Sequence, residues 1–176
     1  MTHFGLLCPA ASGHLNPMTT LGHELRRRGH GVTLFSILDG EAKAVAAGLD
    51  FVPLGESEFP RGAMAETFAE LGKLSGLAAL KYTLNLFKSA TLCLLKEAPD
   101  AIRRHGIDFL LVDQSSFGGA EVARHRDLPF VSVCCALMFS REPDIPPINT
   151  NWPYRPDWWG KLRNAIGYKI VERVTK

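Results

Sequence analysis

His14 and Asp113 are the two residues in this chain whose types could do chemistry together. An imidazole beside a carboxylate makes a general base. The carboxylate fixes the ring tautomer and stabilises the imidazolium formed when the ring takes a proton. His14 follows a continuously apolar run of strand length, residues 4–8, and Asp113 closes another, residues 107–113. A plainer reading is also open: His14 as a helix-start residue and Asp113 as a cap for the next helix, or both simply facing solvent. The two readings part on whether the two runs become neighbouring strands.

Other chemistries find less in the sequence. The loop from Pro9 to Pro17 lacks the G-x-G-x-x-G glycines that let a pyrophosphate approach the backbone, and no G-K-[ST] P-loop is present. Asp39 imitates a ribose-binding acid, but a cap for a short helix at 40–47 fits it better, so NAD binding ranks second. Ser115 and Ser116 lie in no G-x-S-x-G elbow. Cys8, Cys93, Cys134 and Cys135 form no C-x-x-C pair, and His3, His23, His30, His105 and His125 are scattered, so no metal site is expected. Reduced thiols fit a cytoplasmic location. Twenty basic against 18 acidic residues, net +2, is too balanced for a dedicated nucleic-acid binder.

The elements that would position the pair follow from periodicity. The chain is 46% hydrophobic and 22% charged, with a mean hydropathy of +0.01, which is globular composition. Apolar runs at 4–8, 32–37, 51–52, 107–113 and 130–135 alternate with helical patterns. The helix after the first run should start at Pro17 with Asn16 as its cap and stop at Gly29. A helix is expected near 63–71. Another should span about 77–104, broken or restarted by Pro99, and a further one 118–126. Continuously apolar strands alternating with helices predict an α/β fold, a Rossmann-like doubly wound parallel sheet of order 3-2-1-4-5 flanked by helices. Its ligand crevice lies where strand order reverses, between the first and fourth strands, and both His14 and Asp113 point there. The helix at 77–104 is apolar on two sides, with Leu80, Leu84, Phe87, Thr91 and Leu94 on one and Leu74, Ala78, Tyr82 and Leu86 beginning another. Such a helix either packs between core layers or lines a lipophilic pocket. After Met138 the chain changes character: five prolines break it up, all three tryptophans lie at 152, 158 and 159, and a terminal helix is striped by Trp159, Leu162, Ile166, Ile170 and Val174. We divide the chain into a Rossmann-like region, 1–150, and a Trp/Pro-rich segment with terminal helix, 151–176, of the same domain.

Gly13-His14-Leu15-Asn16-Pro17 resembles the G-H-x-x-P signature of the family 1 nucleotide-sugar glycosyltransferases, which have the GT-B fold. Val112-Asp113-Gln114, Leu128-Pro129-Phe130-Val131-Ser132-Val133 and Arg141-Glu142-Pro143-Asp144-Ile145-Pro146 are similar to the bacterial members that glucosylate carotenoids. The resemblance covers about residues 2 to 150. It implies an acceptor-binding half, with His14 deprotonating the acceptor hydroxyl and Asp113 orienting it, and with Ser12 and Gly13 offering donors to the phosphates of a nucleotide-sugar such as UDP-glucose. Acceptor contacts would come from Phe87, Gln114, Phe117, Leu137, Met138 and Phe139. The implied co-substrates are that nucleotide-sugar and a lipophilic acceptor, with no metal or other cofactor. A peripheral contact with the inner face of the membrane is compatible with this reading. Family members carry a second, donor-binding half whose signature is absent from this sequence, so this chain is expected to bind acceptor without turnover. The rival expectations are a stand-alone nucleotide-binding module and a non-catalytic binding module.

Overall fold

In the computed structural model, which describes residues 1–137, 141–148 and 150–175, five strands form one parallel sheet. They are β1 (His3–Leu7), β2 (Gly31–Ser36), β3 (Asp50–Pro53), β4 (Phe109–Asp113) and β5 (Phe130–Val133), in the order β3-β2-β1-β4-β5. This is the expected doubly wound order. β1 is central and pairs in register with both neighbours, Leu7 lying opposite Phe35 of β2 and Val112 of β4.

Alternation along each strand divides the core between the two sheet faces. Leu6, Leu34 and Leu111 pack with Leu15 and Met18 of α1 (Ser12–Arg27) and Ala44 of α2 (Glu41–Ala46). Their strand neighbours Leu7, Phe35, Leu110 and Val112 pack instead with Ala98 and Ile102 of α4 (Gly76–Arg104) and Val122 of α5 (Gly119–His125). Each Leu, Ile, Val, Phe or Met side chain so withdrawn from water contributes about 1.5–3 kcal/mol. Gly5, in the middle of β1, makes room for this packing: a Cβ there would come within 2.8 Å of Leu110 and 3.2 Å of the Phe35 ring.

Several elements depart from the sequence expectation. α1 starts at Ser12, with Ala11 as its cap, and Pro17 lies inside it. Ala11 is extended, and its carbonyl accepts the N–H groups of His14 at 2.9 Å and Leu15 at 2.8 Å, closing the first turn before Asn16 is reached. Pro17 deprives only the Gly13 carbonyl of a donor, near a helix end, and Asn16 spends its side chain on Lys43. α4 runs through Pro99 unbroken, because Ala98, Ala101 and Ile102 are buried around it and their packing offsets the lost bond. β5 ends at Val133, before Cys134 and Cys135.

Asp39 also acts elsewhere than expected. It lies in a 3-10 turn, Leu38–Gly40, ahead of α2, and its side chain does not cap that helix. Instead its carboxylate accepts the N–H groups of Gly62 at 2.6 Å and Met64 at 2.8 Å, at the start of α3 (Ala63–Gly72). The cap position of α3 is Gly62, at φ +92°, a conformation that glycine adopts without strain but which leaves the helix no capping side chain of its own.

The chain forms two compact units, Met1–Ala136, which holds the whole sheet, and Leu137–Lys176. The second is organised by α6 (Trp158–Thr175). Asp157 caps this helix, accepting the Gly160 N–H at 2.7 Å; that bond and Arg155 beside it lower the Asp157 carboxyl below its usual range. Gly167 lets the Trp152 ring close on the helix, where a Cβ would lie 2.8 Å from it. Among the described residues of this unit Pro147, Gly160, Asn164 and Gly167 are buried, and Asn164 is fully enclosed and donates to the Pro143 carbonyl at 3.0 Å. Trp159, Leu162, Ile166 and Ile170 of the expected apolar stripe are exposed. Among the described residues, no helix is long and apolar enough to cross a membrane.

Candidate active site

The reversal of strand order at β1 and β4 sends their following segments to opposite sides and opens a crevice at their carboxyl ends. His14 enters it from the first turn of α1, and Asp113 ends β4. His14 Nδ1 lies 3.0 and 2.9 Å from the two Asp113 carboxylate oxygens. Asp113 is completely buried and the His14 side chain is 19% exposed. An ionised carboxylate only accepts, so Nδ1 carries the proton, and Nε2 is left with its lone pair. The Ser115 N–H donates to Asp113 Oδ1 at 2.8 Å, folding the segment after β4 back over the carboxylate. The buried charge is therefore paired and hydrogen-bonded, as burial requires.

Two thiols face the same carboxylate. Burial, a hydrogen bond to Asp113 and the Asp113 charge push the Cys135 thiol up to about 12, so it is protonated at neutral pH. Cys8, at the end of β1, is likewise pushed up by burial and then by the charge of Asp113. His14, Asp113 and Cys135 are close enough to be considered as metal donors. Asp113 already accepts from the His14 ring and the Ser115 N–H.

A cavity of about 260 Å³ opens beside His14. Its floor is Phe35 and the ends of β1 and β2, one wall is α4, another is α3, and the segment after β4 closes it. Of the expected acceptor residues, Phe87 and Phe117 line this cavity, their rings meeting edge to face with centroids 5.2 Å apart. Gln114 is not among the lining residues; its N–H continues the sheet, donating to the Val133 carbonyl at 3.0 Å. Leu137 belongs to the second unit and is exposed, and Met138 and Phe139 lie outside the described residues. Ser12 and Gly13 stand in the first turn of α1, where backbone N–H groups have no carbonyl four residues back to bond.

α4 resolves the choice left by its two apolar sides. Full burial along it is limited to Cys93, Ala98, Ala101 and Ile102, while Leu86, Phe87, Thr91 and Leu94 line the cavity. The sequence reading missed Met64, Phe68 and Leu71 of α3, which form the facing wall. The apolar spacing of 63–71 was visible, but the partner of α3 depends on the Asp39 contact, which has no local signal.

A parallel sheet of this order, with a His–Asp pair where strand order reverses and an apolar cavity beside it, has the fold of the N-terminal domain of a GT-B glycosyltransferase. The crystal structure of the Streptomyces sp. SF2575 glycosyltransferase SsfS6, complexed with thymidine diphosphate, matches at a TM-score of 0.55 and 20% identity, over 75% of this chain and 38% of that one. In sequence, the chain is homologous to bacterial zeaxanthin glucosyltransferases. It is 34% identical over 172 residues to that of Pantoea ananas and 31% identical over 182 residues to that of Pseudescherichia vulneris. These matches take in 98% and 99% of this chain but 40% of each relative, an extent that fits an N-terminal half. No protein-family model matches the chain.

Proposed function

We propose that this chain is the acceptor-binding half of an inverting nucleotide-sugar glycosyltransferase that moves a hexose, glucose from UDP-glucose, onto a hydroxyl of a lipophilic acceptor such as a carotenoid. The observation that carries the reading is the His14–Asp113 pair at one end of an apolar cavity. His14 Nε2 accepts the proton of the acceptor hydroxyl. As it does, the acceptor oxygen attacks the anomeric carbon from the face opposite the nucleotide, and the bond to the diphosphate breaks with inversion. Asp113 stabilises the imidazolium without itself taking the proton. The first-turn N–H groups of Ser12 and Gly13, at the positive end of α1, suit the diphosphate of the donor.

The cavity favours a hydrocarbon acceptor, since its lining is mostly apolar, with Phe, Leu and Met side chains, and His14, Ser36, Thr83, Thr91, Ser115 and Ser116 are its few hydrogen-bonding side chains. Ligand pockets commonly run from roughly 300 to 1,000 Å³. At about 260 Å³ this one suits the hydroxylated end of a long acceptor, whose remainder would extend beyond it. The chain by itself binds acceptor without transfer, because the charge developing on the departing nucleotide lacks the stabilising groups of a second half.

His14→Ala tests this in a protein carrying both halves. Transfer should fall by about a hundredfold to ten-thousandfold while acceptor affinity stays near that of the parent. Transfer that survives at the parental rate would dismiss His14 as the base.

A further inference from the structure

Asp113 is fully enclosed, and a carboxylate oxygen pair offers about four lone-pair sites that burial obliges the protein to fill. His14 Nδ1–H and the Ser115 N–H fill some of them. The titratable groups that face Asp113 come from three elements: His14 from α1, Cys8 from the end of β1, and Cys135 from the segment after β5. Cys8 directs its thiol elsewhere, donating to the Pro9 carbonyl at 3.3 Å. Cys135 does not: its Sγ, a ring nitrogen of His14 and a carboxylate oxygen of Asp113 all lie within 4.8 Å of one another.

We infer that Cys135 is a positioning residue for the His14–Asp113 pair, its thiol hydrogen given to the Asp113 carboxylate so that the carboxylate is held square to the imidazole. This rests on the reading of His14 as the base. β5 stops at Val133, and the chain then turns Cys135 toward the end of β4 instead of continuing the ladder. The thiol is suited to the task because it stays protonated: burial and the Asp113 charge keep it a donor throughout the neutral range, so it adds no second negative charge beside the carboxylate. Without that donor, Asp113 has one fewer group dispersing its charge. It then holds the imidazolium more tightly and is freer to turn away from the neutral ring.

The test uses Cys135→Ala and Cys135→Ser, first in this chain and then in a protein carrying both halves. In the unmodified chain, the infrared S–H band assigned by difference to Cys135 should lie below that of an unbonded thiol. A band at the unbonded position overturns the inference, and the difference is taken against Cys135→Ser where Cys135→Ala fails to fold. By nuclear magnetic resonance, Cys135→Ala should raise the proton affinity of the His14 ring about threefold to tenfold, and Cys135→Ser, which keeps a donor, should stay close to the parent. An unchanged His14 titration in a folded Cys135→Ala chain also overturns it. In the two-half protein, Cys135→Ala should lower kcat by a similar factor at unchanged acceptor KM and move the acid limb of the rate profile to higher pH, with Cys135→Ser restoring most of the rate. If the ring titration responds and transfer does not, positioning stands and the assignment of His14 as base falls. If neither responds, positioning falls.

Discussion

Replacing Asp39 by alanine removes both acceptors from the start of α3 while touching no residue of that helix. The two bonds, 2.6 Å to the Gly62 N–H and 2.8 Å to the Met64 N–H, are charge-assisted and sit at the positive end of the helix. The helix has no capping side chain of its own. A lost cap costs about 1–2 kcal/mol, and a single charge-assisted hydrogen bond about 1.5–3 kcal/mol. We therefore expect about 2 kcal/mol, felt locally, since α3 buries only Thr67 and can open without the sheet. At 1.4 kcal/mol per factor of ten, that is about a thirtyfold rise in the opening equilibrium. Native-state hydrogen exchange reads it directly. The α3 amides should exchange about thirtyfold faster in Asp39→Ala, the β1 and β4 amides should change little, and Asp39→Asn, which keeps one acceptor, should fall between. Affinity for an apolar fluorescent probe should drop in parallel, since Met64, Phe68 and Leu71 are cavity wall. If the amides of α2 respond and those of α3 do not, the Asp39 contact is misassigned and the cap belongs to α2.

Other outcomes can be stated more briefly. Gly22→Val should destabilise the first unit by about 1–3 kcal/mol in urea melts, because a Cβ there already lies 2.8 Å from Leu49 and 3.1 Å from Leu6 in a filled core. Stability should be insensitive to the thiols up to about pH 9 and then fall as pH rises. Cys135 is raised from 9.0 to about 12 and Cys93 from 9.0 to about 11, so across that window the unfolded chain releases protons that the folded chain keeps. Urea midpoints measured on both sides of pH 9 check the sign. Asn164→Ala should cost the second unit about 0.5–1.5 kcal/mol by removing the hydrogen bond that the enclosed Asn164 side chain gives to the Pro143 carbonyl. Tryptophan fluorescence follows it, as Trp152, Trp158 and Trp159 all lie in that unit.

What could be read from the sequence was whatever local periodicity and strand handedness determine. Five apolar runs separated by helical patterns lead to the order 3-2-1-4-5, and that order alone brings His14 to Asp113. Generic end rules failed where a distant contact or a neighbouring carbonyl decided the outcome. Asn16-Pro17 reads as a helix start, but the Ala11 carbonyl closes the turn earlier. Asp39 reads as a cap for the next helix, but its carboxylate reaches a different helix 23 residues on. Pro99 reads as a break, but the burial around it holds α4 together. The cavity was half legible. The α4 side showed as an apolar face without a stated partner, while the α3 wall and the Cys135 contact are long-range and leave no mark in local spacing.

Gly5 ties the middle of the sheet to the shape of the cavity. The space a Cβ would need there is taken by Leu110, Ile107 and the Phe35 ring, and that ring is also part of the cavity floor. A side chain at position 5 needs room from Leu110 first and then from Ile107 and the Phe35 ring, and whatever room is taken from position 35 deepens the cavity. The two positions should therefore vary together among relatives. A lineage that exchanges both at once would gain cavity volume without any change at His14 or Asp113.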